Sequence, residues 1–244
     1  MFRVAIVAAL EREVRPLIRE WSVNEREIGG RRFRFFENEN VVLVCGGIGA
    51  EPARRAAEAV IATYAPAKIY SVGFAGALDA SLRVGDVVQP RQVIDAGDSS
   101  RTDLDQGEGA LVSFGSVASP AQKASLQKSF AAQAVDMEAA SVARAAEARG
   151  VEFAAVKVIS DEFDFSFPSM ERFIDSNGQF LQVRFAGFVA VRPWLWLQVA
   201  RLARNSNRAS LALCDRLEKI IAVSDSSENS SKQREAVDKT GARL

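Results

Sequence analysis

The sequence predicts a single α/β domain in which helices cover both faces of a mainly parallel or mixed sheet. Apolar runs typical of buried strands alternate along the chain with stretches of helical spacing. The composition is ordinary for a globular protein, with 48% hydrophobic and 25% charged residues among 244. No repeat or linker interrupts this alternation, so we predict one domain over residues 1–222 and a polar, disordered tail over residues 223–244.

The first half of the chain supplies strands and helices in turn. Residues 3–9 are predicted to form a buried strand, and residues 10–21 a helix in which Pro16 fits only in the first turn. We then expect two strands joined by a turn, at 31–37 and 40–50, followed by a helix at 51–65. A buried strand that runs into a glycine-containing loop is expected at 68–78, and a further strand or two at 84–97.

The second half continues the pattern after a polar segment, 97–110, that predicts a loop. Ser119 is an N-cap candidate for a helix, because Pro120 would occupy the first helical position. The remaining elements are a strand at 111–118, a helix at 119–130, a helix after the stretch 135–141 that ends near Gly150, a strand at 151–164, and one or two helices within 193–222.

Charge and cysteine content exclude several classes of protein. Lys plus Arg equals Asp plus Glu at 31 each, which argues against a general nucleic-acid-binding protein. Cys45 and Cys214 lack CxxC spacing and predict reduced thiols in a cytoplasmic protein, not a disulfide framework or a zinc site. The N-terminus lacks the features of a signal peptide, and no apolar run reaches membrane-spanning length.

Histidine is absent from the chain. This absence excludes Ser-His-Asp and Cys-His catalysis and every histidine-ligated metal site. Any acid–base chemistry must therefore come from carboxylates, Lys, Tyr or Cys.

Residues 135–141, VDMEAAS, place two carboxylates and a thioether where a strand or loop turns into a helix. The carboxylates could favour the dipole at a helix N-terminus, or they could be presented to a ligand. Four more stretches stand at strand ends, where open α/β sheets bind ligands: AALEREV (8–14), GGIGA (46–50), SVGFAGAL (71–78) and VKVISDEFD (156–164). Each alone is weak, because such glycines more often serve turn geometry and such acids often cap helices or are solvated.

In their order along the chain, the five stretches resemble the nucleoside phosphorylase/nucleosidase superfamily, particularly its methylthioadenosine/S-adenosylhomocysteine nucleosidase branch. The family motifs are Ala-x-Glu-x-Glu, Ser-Gly-Ile-Gly, Gly-Ser-Ala-Gly-Gly before Val-Gly-Asp, Val-Glu-Met-Glu-Ala and Ile-Ser-Asp, matched over roughly residues 3–165. Further on, Pro168, the DSNG at 175–178 and the helix after Pro193 resemble the hopanoid-associated phosphorylases. The resemblance implies a three-layer α/β/α sandwich around a mixed central sheet, a homodimer, and no metal or cofactor.

The resemblance also implies roles for individual side chains. Glu138 would accept hydrogen bonds from the ribose hydroxyls while Met137 packs on the sugar. Asp161 would be the general acid at the purine, and Glu13 the base that activates water, which repeats the two-carboxylate logic of glycoside hydrolysis. Lys157 would supply a supporting charge. The other expected substrate contacts are Ile48, Gly73, Phe74, Val117 and Ser160; Asp136 is expected to have a local structural role.

Several positions depart from the family pattern. Phe74 replaces a serine that helps to hold phosphate in phosphorylases, so a classical phosphate site is poorly supported. Lys157 replaces an arginine and keeps the charge without the bidentate fork. Val117 stands where a base-stacking aromatic residue is expected, and the segment 95–112 is shorter than in the methylthioadenosine nucleosidases. Purine contact is therefore less well supported than ribose contact.

Nine aromatic residues follow Asp161 closely in the chain. They suit a core and a subunit interface better than a functional role, although they could also form an apolar lid over a large 5′ substituent. The nine are Phe163, Phe165, Phe167, Phe173, Phe180, Phe185, Phe188, Trp194 and Trp196.

The sequence therefore predicts an enzyme that cleaves the N-glycosidic bond of a purine nucleoside, with a 5′-substituted adenine nucleoside as the best candidate. The alternatives are phosphorolysis of an apolar adenosyl lipid, with phosphate as co-substrate, and a catalytically inactive nucleoside-binding relative. A structural or interaction protein built around the aromatic region ranks below these, because all three carboxylates occupy their motif positions.

Overall fold

The computed structural model describes residues 4–165, 171–175 and 178–241 of the chain. Within these residues the strands are β1 (Val4–Ala8), β2 (Ser22–Ile28), β3 (Arg31–Asn38), β4 (Val41–Cys45), β5 (Lys68–Ala77), β6 (Val87–Val88), β7 (Gln92–Asp95), β8 (Arg101–Asp103), β9 (Ala110–Ser113), β10 (Ala134–Asp136) and β11 (Glu152–Asp161). The α-helices are α1 (Glu11–Ile18), α2 (Ala50–Tyr64), α3 (Pro120–Phe130), α4 (Ala139–Glu147), α5 (Gln182–Ala190) and α6 (Trp196–Gly241).

All eleven strands join one mixed sheet. Nine of them follow the order β2-β3-β4-β1-β5-β10-β9-β7-β8, while β11 pairs with both β5 and β6. β4, β1, β5 and β11 run parallel, so their carboxyl ends meet at one edge. β10 approaches from the other side and pairs antiparallel with the end of β5, where Val135 lies opposite Gly76. The motifs singled out in the sequence therefore converge where the direction of the strands changes.

Helices cover both faces of this sheet and make the fold a three-layer sandwich. On one face, α1 and α6 pack over the central strands through a cluster that includes Val14, Leu17, Leu213 and Leu217. On the other face, α2 and α4 pack through an alanine-rich cluster. Leu126 of α3 joins a further cluster beside β7 and β9. The predicted fold class, a three-layer α/β/α sandwich around a mixed sheet, is confirmed.

Helix α3 begins as the sequence predicts. The Ser119 hydroxyl accepts a hydrogen bond from the main-chain N–H of Gln122, whose side chain accepts in return from the Ser119 N–H. This reciprocal arrangement is a capping box, and Pro120 occupies the first helical position, where its missing N–H costs nothing.

Pro16 lies in the second turn of α1, so the prediction that it would occupy the first turn is wrong. A proline there offers no N–H to the carbonyl of Arg12 four residues earlier. The Ser210 hydroxyl of α6 lies 3.3 Å from that carbonyl oxygen and 2.9 Å from the carbonyl oxygen of Glu13. The packing of α6 therefore supplies a donor to the turn that the proline leaves incomplete.

Five other features differ from the predictions. β2 and α5 were not predicted; β2 is a mostly exposed strand at the sheet edge and lacks apolar alternation. The short strand β8 lies within the predicted loop 97–110, and β5 continues through its glycines where a loop was expected. Helix α6 extends to Gly241, so its last part covers the segment predicted as a disordered tail.

Candidate active site

A cavity of about 380 Å³ lies beside the junction of β5 and β10. Eight of the ten predicted site residues line it: Glu13, Ile48, Phe74, Val117, Met137, Glu138, Ser160 and Asp161. The other two, Gly73 and Lys157, are buried beneath it. The structure thus brings together residues from every predicted motif, while their roles stay predictions.

Glu13 lies in the first turn of α1, with only 5% of its surface exposed. Burial raises the pKa of its carboxyl to about 7, and the nearby Glu138 carboxylate adds to this shift. Lys157 and Arg12 lower this pKa, but their charges do not offset burial. A carboxyl with a pKa near neutrality is suited to accept a proton from water.

Gly73 allows the Glu13 carboxylate to lie against strand β5. A Cβ atom at position 73 would lie 2.9 Å from Oε2 of Glu13 and 3.9 Å from Nζ of Lys157. The backbone φ of Gly73 is +138°, a value that other residues rarely adopt. Gly73, which was predicted as a substrate contact, therefore lies beneath the Glu13 carboxylate, and its lack of a side chain leaves space for that group.

Glu138 stands at the junction of β10 and α4, and its carboxylate faces the cavity. It accepts a hydrogen bond of 2.8 Å from the N–H of Gly49 and one of 3.2 Å from the N–H of Met137. Burial raises its pKa, an effect opposed by the charge of Lys157 and increased by that of Asp136. The GGIGA loop thus fixes the carboxylate predicted to bind ribose.

Asp136 and Lys157 form a fully buried ion pair of 2.9 Å beneath the cavity. The Asp136 carboxylate also accepts the N–H of Ala139, in the first turn of α4, at 2.8 Å and the Ser113 hydroxyl at 2.6 Å. Burial lowers the pKa of Lys157, but the charges of Asp136 and Glu138 outweigh it, and the net shift is upward. The two acids of VDMEAAS therefore lie in different environments, because Asp136 bonds the first turn of α4 and Glu138 lines the cavity.

Asp161 ends strand β11 and pairs with Lys123, a residue that the sequence analysis did not identify. The Lys123 ammonium bonds to Oδ2 of Asp161 and donates to the carbonyl of Glu162 at 2.7 Å. The Ser160 hydroxyl donates to Oδ1 of Asp161 at 2.9 Å. Lys123 is 1% exposed and lines the cavity, so a buried cation accompanies the predicted general acid.

The rest of the cavity wall is largely apolar. Phe165, Ile174, Phe180 and Leu202 line it beside Phe74. Val117, at the predicted base-stacking position, is 47% exposed and also lines it.

The aromatic region divides between core and surface. Phe173, Phe180, Phe185 and Phe188 contact one another with ring centroids 5.2–6.5 Å apart. Phe180 also reaches the cavity, where the Arg12 guanidinium lies 5.2 Å from its ring centroid. Trp194 and Trp196 are exposed. Phe167, Pro168 and part of the DSNG segment lie outside the described residues.

Among the residues that the structure describes, no group of three or more Cys, Asp or Glu side chains is placed to bind a metal ion, and both cysteines are free. Over the same ranges, no helix combines the length and the apolar character needed to cross a membrane.

Comparison with solved structures shows the fold. The methylthioadenosine/S-adenosylhomocysteine nucleosidase of Helicobacter pylori, complexed with a substituted pyrrolidin-3-ol, superposes with a TM-score of 0.67 at 17% identity, and the match covers 91% of this chain and 98% of that one. Futalosine hydrolase from the same organism gives 0.58 at 22% identity, covering 66% and 88%.

Sequence relatives match a shorter region. The methylthioadenosine/S-adenosylhomocysteine nucleosidase of Staphylococcus carnosus is 35% identical over 89 residues, which cover 35% of this chain and 39% of that protein. The Marinomonas enzyme of the same name is 34% identical over 95 residues, covering 37% and 41%. The chain thus spans about two fifths of the length of these curated relatives.

The family profile described as "Phosphorylase superfamily" matches residues 3–126 and 108–183, a region that contains all ten predicted site residues. This region is well over half of the 244 residues. The chain therefore belongs to the phosphorylase superfamily.

Proposed function

We propose that this protein hydrolyses the N-glycosidic bond of a purine nucleoside, and that its substrate is an adenine nucleoside with a 5′ substituent. The observation that carries the proposal is the meeting of Glu13, Glu138 and Asp161 in one cavity. Part of the chain is similar to enzymes that are named as nucleosidases of methylthioadenosine and S-adenosylhomocysteine, two adenine nucleosides with a 5′ substituent. This similarity supports the same substrate class for this protein.

The three carboxylates suit three steps of the reaction. Glu138, held by the N–H of Gly49, accepts hydrogen bonds from the ribose hydroxyls and places the sugar. Glu13 accepts a proton from the water that attacks the anomeric carbon, and its pKa of about 7 fits that task. Asp161, with its partners Ser160 and Lys123, assists departure of the purine.

The apolar wall supports a nonpolar 5′ substituent. Phe165, Phe180 and Leu202 offer hydrocarbon and aromatic surface but no group that would bond a 5′ phosphate or hydroxyl. The family resemblance leads us to infer a cytoplasmic homodimer, and sedimentation of the purified protein tests the dimer.

Phosphorolysis is the second candidate, because the Arg12 guanidinium lines the same cavity and could hold a phosphate ion. Against it stands Phe74, which presents a ring where phosphorylases have a serine hydroxyl. In this reaction phosphate would replace water as the nucleophile and the product would be a sugar 1-phosphate.

The experiment is base release from adenosine, methylthioadenosine and an adenosine with a long apolar 5′ chain, each with and without phosphate. Release without phosphate is expected, fastest with an apolar 5′ group, and Glu13→Gln should lower it by about two to four orders of magnitude. Glu20→Gln, an exposed acid just beyond α1, is the matched control. Strictly phosphate-dependent release would favour phosphorolysis, and saturable nucleoside binding without release would indicate an inactive relative.

A further inference from the structure

Lys123 is an unusual residue for its position, because a lysine that is 1% exposed must have its charge compensated. It lies on the buried side of α3, while Lys128, one and a half turns later on the same helix, is exposed. Its ammonium reaches across to the end of β11 and bonds to Asp161 and to the carbonyl of Glu162.

Strand β5 leaves room for this ion pair at Gly76. A Cβ atom at position 76 would lie 2.8 Å from Oδ2 of Asp161 and 3.1 Å from Cε of Lys123. Any larger residue would displace the pair, so the position of the cation at the cavity wall is set by the strand beneath it.

The hydrogen bonds around Asp161 bear on which group can serve the leaving purine. Oδ2 already bonds the Lys123 ammonium, and Oδ1 accepts the Ser160 hydroxyl. Both oxygens therefore already have a hydrogen-bond partner within the protein, whereas the Lys123 ammonium is a donor in every hydrogen bond that it makes. The described contacts of Lys123 use two of its three N–H groups, and Lys123 is one of the residues that line the cavity.

We propose that Lys123 is a further catalytic residue, and that its ammonium is the electrophile that stabilises the departing purine at N7. This inference rests on the proposed function. As the C1′–N9 bond breaks, its electron pair passes to the purine. The third N–H of Lys123 bonds N7 and gives it a proton, while the attacking water loses its proton to Glu13. Solvent then carries a proton from Glu13 back to the lysine, so that the sum is nucleoside plus water giving ribose and free base.

In this assignment Asp161 orients Lys123 and holds its charge at the cavity. A fixed cation in a site that excludes water stabilises developing negative charge strongly, because it needs no reorganisation during the reaction. Lys123→Met keeps the length of the side chain and removes the charge, and Lys128→Met makes the same change on the exposed face of α3.

The first test is equilibrium binding of adenine and of 7-deazaadenine, which lacks the N7 acceptor. The wild type and Lys128→Met should bind adenine more tightly by about 10–100-fold, the effect expected of one hydrogen bond to a charged group. Lys123→Met should bind the two bases equally. Equal binding of both bases by the wild type, or unchanged discrimination in Lys123→Met, would overturn the assignment, and neither result depends on turnover.

The second test is kinetic. Lys123→Met should lower kcat for a purine nucleoside by about 100–1,000-fold, as for loss of one preorganised donor, with a much smaller change in KM. Near-wild-type kcat in a folded Lys123→Met protein would contradict the catalytic role of Lys123 and leave the proposed function of the protein intact. Absence of base release from the wild type, with base discrimination intact, would instead contradict the proposed function and leave Lys123 as a base-binding residue.

Discussion

Glu13→Gln should make the protein more stable at alkaline pH, while it removes activity. In the folded state the Glu13 carboxyl keeps its proton up to about pH 7, whereas the unfolded carboxyl releases it near pH 4.5. The folded state therefore binds more protons between these two values, and the free energy of unfolding falls as pH rises through that window. Glutamine cannot titrate and so avoids this loss.

The magnitude follows from the shift in pKa. A change from 4.5 to about 7 corresponds to about 3 kcal/mol in total, of which about 2–3 kcal/mol falls between pH 5 and pH 8. Burial supplies most of the shift, and Glu138 adds to it because two ionised carboxylates then face each other in one cavity. The free energy of unfolding of Glu13→Gln should accordingly exceed that of the wild type at pH 8 and approach it toward pH 4.

Urea unfolding of both proteins at pH 5 and pH 8 measures this difference. If the free energy of unfolding falls by about 2–3 kcal/mol per molar urea, the difference between the urea midpoints of Glu13→Gln and the wild type should be about 1 M larger at pH 8 than at pH 5. Glu20→Gln, at an exposed position, should show no such separation. The reasoning is refuted if Glu13→Gln differs from the wild type by the same amount at both pH values, or if it is the less stable protein at pH 8.

Three further outcomes are expected from the same geometry. Because Glu13 must be ionised to act as a base, kcat/KM should rise with pH and level off above about 7, and a profile that is flat from pH 5 to 9 would exclude Glu13 as the titrating base. Gly73→Ala should destabilise the fold by about 1–3 kcal/mol and lower kcat, since the new methyl group would lie 2.9 Å from the Glu13 carboxylate. Thermal denaturation measures the loss of stability and steady-state kinetics the loss of kcat, and a fully active, equally stable variant would contradict the contact. Ser210→Ala should cost about 1–3 kcal/mol and lower kcat with little change in KM, because the hydroxyl that donates to the main-chain carbonyls at the start of α1, closest to that of Glu13, is lost. Ser210→Thr, which keeps the hydroxyl, should recover most of both losses if the hydroxyl positions Glu13.

The fold class and the positions of the motifs could be predicted from the sequence because both depend on local patterns. Apolar strand runs followed by small or acidic residues place functional groups at strand ends, and parallel strands bring those ends to one edge. Elements without apolar alternation, such as the exposed edge strand β2, were missed for the same reason. The turn predicted for Pro16 was wrong because the Ser210 hydroxyl, which lies 3.3 Å from the Arg12 carbonyl oxygen, is almost two hundred residues away in the chain.

Lys123 illustrates why the site could not be completed from the sequence. In the chain it stands in a polar helix, PAQKASLQKSF, where a lysine is ordinarily solvated. What distinguishes it from Lys128 is which face of α3 meets the end of β11, and that depends on sheet order and helix packing together. The carboxylates of the cavity were found because their motifs, taken in order, resemble those of a known superfamily, whereas the cation that pairs with Asp161 comes from a neighbouring layer. A lysine whose partner lies in another layer carries no signal of its own in one sequence, so the electrostatics of this site become visible only once the layers are assembled.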